Sequence, residues 1–117
     1  MRTSSSPDDP DCPVVDGSDT PAAAAPPGTY VNPILDEDFP DPAVILADDG
    51  YYYAYGTQTL RDGHWLNIQV TRSRDLIHWE HVGDALPEKP RWAQHTQDLW
   101  APSVIFDGST YFMYYSA

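Results

Sequence analysis

The chain has 117 residues and a formal net charge of −12, which leaves room for one modest domain at most and disfavours phosphate-bearing partners, whether nucleic acid or an anionic membrane surface. An uncharged ligand such as a sugar is compatible with that charge. Cys12 is the single cysteine, so an internal disulfide and a cysteine-based metal site are excluded, and no apolar run is long enough to span a membrane.

Residues 1–30 are rich in Pro, Ala, Ser and Asp, with only Val14, Val15 and Tyr30 as sizeable apolar groups. Such a stretch buries too little surface to offset its ordering entropy, and it is predicted to be a disordered tail or linker. Neither Met1–Ser6 nor the short run Ala22–Ala25 supplies the apolar core of a signal peptide. Residues 31–117, crowded with Tyr, Trp, Ile and Val, are the fold-forming part.

This part opens on a dense acidic cluster, Asp36, Glu37, Asp38 and Asp41. The first three are expected in a solvated loop. Asp41 differs, because Pro40 and Pro42 flank it; both restrict the backbone, and Pro42 biases Asp41 away from the helical region. A carboxylate fixed at the mouth of an innermost strand would face a central channel, where a base is useful. From spacing alone it suits a turn-capping role equally well.

The sequence then repeats itself. Pro42-Ala-Val-Ile-Leu, a turn at Ala47–Gly50 and the aromatic run Tyr51–Thr57 align without a gap on Pro102-Ser-Val-Ile-Phe, Asp107–Thr110 and Tyr111–Ala117, 60 positions later. Each copy has the composition of a hairpin: β-branched and aromatic residues that suit a pleated surface, joined by Asp and Gly that tolerate tight turns. Between the copies, Ile68–Ser73 alternates apolar and polar residues and predicts a third strand. In Ser73-Arg-Asp-Leu-Ile-His-Trp79, the oxygens of Ser73 and Asp75 can hold turn amides while Trp79 supplies a ring to bury. Glu80–Asp84 predicts a short outer strand. Four strands per repeat suit a propeller blade; an ordinary six-stranded meander is the alternative. On the propeller reading, the chain holds blade one and the first half of blade two.

Asn32-Pro33, Phe39-Pro-Asp-Pro-Ala-Val44, the Tyr51–Tyr55 run, Ser73–Trp79 with Gly83 and Leu86, and Leu99-Trp-Ala-Pro102 followed by Tyr111–Tyr115 resemble, in this order, the N-terminal signatures of glycoside hydrolase family 43. The resemblance implies an all-β, five-bladed propeller in the full protein, acting on arabinose- or xylose-containing plant polysaccharides or oligosaccharides by inversion. Asp41 matches the general base, whereas the assisting Asp and the acid Glu of the family lie on its third and fourth blades. Trp100 matches an aromatic lining the sugar pocket, though a packing role suits it nearly as well. Ser103 is placed with Trp100 at the substrate, but it departs from the commoner acidic residue after Trp-Ala-Pro, which leaves the polarity of that pocket wall open. By the repeat, Ala101 aligns with Asp41, so the base position has no acidic counterpart in blade two.

His64, His78, His81 and His95 form no compact ligand pattern. No metal site and no cofactor are expected within this chain; since some members of the family hold an ion on a later His, a structural ion in the full propeller is compatible with the resemblance. The loop Leu86–Asp98 is expected to cross between blades, with Trp92 or Gln97 near substrate if it overhangs the pocket. The resemblance also implies a secreted or extracellular protein with a carbohydrate as its partner. A sugar-binding propeller without catalysis is the main alternative. The Asp-box-like turn of sialidase propellers resembles Ser73–Trp79, but Arg61, Arg72, Arg74 and Arg91 show no matching pattern.

Overall fold

In the computed structural model, residues 25–117 are described. Of the expected tail, residues 1–24, Cys12 among them, lie outside the described residues, and the Thr29 N–H closes a turn onto the Pro26 carbonyl at 3.0 Å. The fold is all-β. Pro42, which has no N–H to offer a ladder, precedes strand β1 (Ala43–Leu46), and β1 pairs antiparallel with β2 (Tyr52–Gly56). Asp49 Oδ1 accepts the Tyr51 N–H at 3.0 Å and Oδ2 accepts the Tyr53 hydroxyl at 2.8 Å, so the turn carries its own clamp. These bonds, the Tyr51 amide first, hold the Asp49 carboxyl below its usual range.

Two three-residue strands follow, β3 (Thr59–Arg61) and β4 (His64–Leu66). They form a hairpin that the sequence reading omitted. Its two-residue loop has Asp62 at φ 51° and Gly63 at φ 79°, the double positive φ of a type I′ turn, which Asp-Gly accommodates better than other pairs. The chain then rejoins the first sheet through β5 (Gln69–Ser73) and β6 (Trp79–Asp84), giving the order β1-β2-β5-β6. This is the four-stranded meander expected of one blade, with the extra hairpin inserted between its second and third strands. The third strand starts one residue later than expected and the outer strand one residue earlier.

After a short 3-10 turn, Arg91–Ala93, strands β7 (Trp100–Phe106) and β8 (Tyr111–Ser116) form the second hairpin, and β7 lies against β1 and β2. Although the two sequence copies align without a gap, their strands do not pair alike. Leu46 faces Tyr52 across the first turn, leaving residues 47–51 in the loop, whereas Phe106 faces Tyr111, leaving only residues 107–110. The tighter turn is built on Asp107 Oδ1, which accepts the amides of Ser109 and Thr110, both at 2.8 Å. The Thr110 amide is the chief cause that holds the Asp107 carboxyl low. A slip of one residue changes every cross-strand pair, so Ser103 faces Tyr114, not the Tyr115 that the repeat implies.

The two faces of the first sheet have different neighbours. Val44, Ala54 and Thr71 stand in one row across the strands, and with Trp79 they floor an apolar groove whose other wall is Asn32–Leu35 and Phe39. On the opposite face, Ile45, Tyr53 and Tyr55 share a cleft with Tyr111 of the second hairpin. Burial raises the half-buried Tyr55 phenol above its ordinary range. Among the described residues the core is small: Ala54, Ile68, Val70, Ala93, Leu99 and Pro102 are its buried apolar residues, with Ile68 and Leu99 fully enclosed.

Candidate active site

Asp41 lies at the entrance of β1 and is exposed. Its backbone is left-handed, with φ 53°. The pre-proline position biases Asp41 away from the helical region toward extended backbone, but the left-handed region is the one adopted; Asp tolerates it better than most residues. One carboxylate oxygen, Oδ2, accepts a hydrogen bond from Thr57 Oγ1 at 2.8 Å. Thr57 follows β2 and is 9% exposed. Its amide donates to the Pro40 carbonyl at 3.0 Å, so the residue holds the Pro40-Asp41 corner by main chain and side chain together.

The same Thr57 oxygen accepts the Ala101 N–H at 2.9 Å. Ala101 is also left-handed, at φ 48°, and it also precedes a proline. The repeat therefore has a three-dimensional counterpart: positions 41 and 101 share one backbone state, and one hydroxyl joins them. Gln58 extends the seam by donating its N–H to the Leu99 carbonyl at 3.0 Å.

Trp100 opens β7 immediately before Ala101 and is 48% exposed. The peptide it shares with Ala101 is thus tied to the Asp41 group through Thr57. Ser103 is exposed further along β7 and, among the described residues, makes no hydrogen bond to that group. Asp41 and Trp100 are brought to one seam between the two sheets; Ser103 joins them only as a neighbour on the same strand.

The acidic run before Asp41 lies in an exposed loop, as expected, and two of its acids also have partners there. Asp38 Oδ2 accepts the Thr59 hydroxyl at 2.8 Å, the Asp38 carbonyl accepts Gln69 Nε2 at 3.0 Å, and Glu37 pairs with Arg61. Gln69 is fully buried, and its Nε2 also reaches the Thr57 carbonyl at 2.8 Å. The inserted hairpin supplies both Thr59 and Arg61 as partners for the run. Phe39 packs over Gly56, where no side chain obstructs the ring. The segment carrying Asp41 is therefore pinned on both sides of Phe39.

At the other end of the sheet, the Ser73–Trp79 element closes as the sequence predicts. Ser73 Oγ accepts the amides of Asp75 and Leu76 at 3.1 and 2.9 Å. Asp75 Oδ1 accepts those of Ile77 and His78 at 2.9 and 2.8 Å, and Asp75 Oδ2 lies 2.7 Å from His78 Nδ1. Bonds from the His78 amide and ring, then the Ile77 amide, hold the Asp75 carboxyl well below the usual carboxylate range. This turn is a structural unit.

His64, His78, His81 and His95 are all exposed. Among the described residues no group of three or more His, Cys, Asp or Glu side chains is placed to hold a metal ion, and no helix is long and apolar enough to cross a membrane. In the crossing loop, Trp92 is 69% exposed and stacks on Tyr115, with ring centres 6.1 Å apart. Sequence reasoning missed Thr57 and Gln69. Thr57 ends a strand-like aromatic run, and no local pattern announces a bond to a residue 44 positions away.

Comparison with known proteins places these observations. The model of the family described as "Glycosyl hydrolases family 43" matches residues 30–117. An extracellular endo-alpha-(1->5)-L-arabinanase of Thermotoga petrophila is 33% identical over 92 residues, which covers 66% of this chain and 17% of that protein. A xylan 1,3-beta-xylosidase of a Vibrio species is 33% identical over 92 residues, covering 75% of this chain and 16% of its own length. The crystal structure of a thermostable family-43 glycoside hydrolase superposes with a TM-score of 0.58 at 33% identity, over 76% of this chain and 28% of that one. The chain thus spans less than a third of each of these proteins.

Proposed function

The chain belongs to glycosyl hydrolases family 43, and on that premise we propose that it is part of an inverting glycoside hydrolase acting on arabinose- or xylose-containing plant polysaccharides or oligosaccharides, with Asp41 as its general base. The observation that carries this reading is the state of the Asp41 side chain. It is exposed to water, stands on a constrained backbone, and has one carboxylate oxygen fixed by Thr57. A base for inversion must meet these requirements: it takes a proton from a water attacking the anomeric carbon, so it needs an open oxygen at a fixed place.

Inversion also needs a general acid roughly 6.5–9.5 Å from the base, on the other side of the scissile bond, so that water fits between base and sugar. A propeller meets this by bringing carboxyl groups of different blades to one channel, and the acid is assigned to a blade other than the two begun here. Trp100, whose peptide is tied to the Asp41 group through Thr57, offers a half-exposed ring on which a sugar's C–H face can stack; Ser103 is assigned to the adjoining wall. The names of the relatives, arabinanase and xylosidase, support the substrate class. That the first of them is called extracellular supports an extracellular site of action.

The test is hydrolysis of 4-nitrophenyl arabinofuranoside and xyloside by the full-length protein and its Asp41→Asn variant, which keeps size and shape but cannot take the proton. Loss of about 10³-fold or more in kcat, a scale in keeping with removal of a positioned base, is expected on the cleaved substrate. Equal rates in both proteins remove Asp41 from catalysis. Sugar binding without hydrolysis of either substrate favours a propeller that only binds.

A further inference from the structure

The Thr57 hydroxyl has a single proton to give, and its surroundings decide where it points. The hydroxyl has two close partners, Asp41 Oδ2 at 2.8 Å and the Ala101 amide at 2.9 Å. An amide N–H can only donate. The Ala101 N–H therefore occupies an acceptor site of Thr57 Oγ1 and commits the hydroxyl proton to Asp41. Because Thr57 is buried, bulk water has little access to compete for that proton. Among the described residues Asp41 Oδ1 has no hydrogen-bond partner, and the residue is exposed.

The main chain adds to the constraint. The Thr57 amide holds the Pro40 carbonyl, and the Thr57 carbonyl is held by buried Gln69. Asp41 and Ala101 are both left-handed residues before a proline, a state that needs support from its surroundings. Thr57 supports both at once, one in each sheet.

We propose that Thr57 is a positioning residue for the Asp41 carboxylate: it locks Oδ2 with a hydroxyl whose direction is set by the Ala101 N–H of the second sheet, and so leaves Oδ1 as the oxygen that meets the attacking water. This rests on Asp41 being the base. It makes the base geometry depend on how the two blades pack, since the proton's direction comes from one blade and the carboxylate from the other.

The experiment compares Thr57→Val, Thr57→Ser and Asp41→Asn in the full-length enzyme, with kcat and KM measured on the 4-nitrophenyl glycoside it cleaves and thermal melts measured alongside. Valine matches threonine in shape but cannot donate; serine donates without the methyl group. Thr57→Val is expected to lower kcat by about 10²-fold, the scale of a misplaced catalytic group, with KM within about threefold, and Thr57→Ser to recover kcat to within about fivefold of the parent. If Thr57→Val does not fold, Thr57→Ala carries the same expectation. Wild-type kcat in Thr57→Val beside an inactive Asp41→Asn overturns the positioning role and leaves the base assignment standing. An active Asp41→Asn overturns the base assignment itself. Equal losses in Val and Ser variants, tracking a fall in melting temperature, assign Thr57 to packing and also overturn the proposal.

Discussion

Substituting Gly56 by alanine tests the packing that holds the Asp41 segment. A Cβ at Gly56 would stand 2.9 Å from Phe39 Cε1, 3.1 Å from Phe39 Cδ1 and 3.2 Å from Gln69 Cγ, where carbon atoms prefer about 3.5–4.0 Å. The ring must therefore retreat by roughly half an ångström or more. It has little freedom to do so: the carbonyl before it is held by Gln69 and the one after it by the Thr57 amide. Overpacking of this kind costs about 1–3 kcal/mol, against which replacing glycine by alanine returns about 0.5–1 kcal/mol of backbone entropy. The difference spans about 0–2.5 kcal/mol; with the ring held on both sides the expectation is the upper half of that range, a drop of a few degrees in melting temperature for a protein of some hundreds of residues. Because Asp41 is two residues from Phe39, kcat should fall as well. Thermal melts and steady-state kinetics of the full-length protein read both effects. Adding Phe39→Leu should relieve the clash, so that the double variant loses less stability than the sum of the single ones. A Gly56→Ala variant that melts at or above the parent temperature with full activity would refute the reasoning.

The Asp75 turn and the proposed pocket wall give two further tests. Since folding depresses the Asp75 pKa, its charge contributes stability that is present above the unfolded value of about 3.9 and lost as pH falls through the lower folded value; Asp75→Asn should therefore melt lower than the parent between pH 5 and pH 8, with the gap shrinking below about pH 4, and a gap independent of pH counts against it. Trp100→Ala should raise KM about tenfold or more, the equivalent of about 1.4 kcal/mol of lost contact, and Ser103→Ala should change it by less than about threefold; a Trp100→Ala variant with unchanged KM and a lower melting temperature would make that ring a packing residue.

What was legible in the sequence was local. The alternating run before Ser73, the two apolar-turn-aromatic copies and the Ser73–Asp75 turn are each written within a few residues, and each folds as read. The β3–β4 hairpin was just as local, and Asp62-Gly63 announced it, but its strands of three residues are too short to show a period. The remaining differences come from contacts between distant residues. Asp38 looks like one more surface acid until Thr59 arrives 21 positions later. The repeat could give the equivalence of positions 41 and 101 but not the tighter second turn, because a gapless alignment carries no information about which residues face each other across a hairpin.

That equivalence bears on how Asp41 should be understood. A left-handed backbone costs an alanine about 1–2 kcal/mol, and Ala101 adopts it with no carboxylate to position. The conformation therefore belongs to the entry of an inner strand, at a corner before proline, and is not itself a mark of catalysis. The ambiguity left by Pro-Asp-Pro has a physical origin: a corner residue and a base make the same demand on the backbone. What separates the two positions is the side chain and its environment. At position 101 the N–H of the corner is spent on Thr57 Oγ1; at position 41 the carboxylate accepts the hydrogen bond that this contact turns toward it. On this argument the structural corner is common to both blades, and the proposed base is an elaboration of one of them, held in place by the contact that joins it to the other.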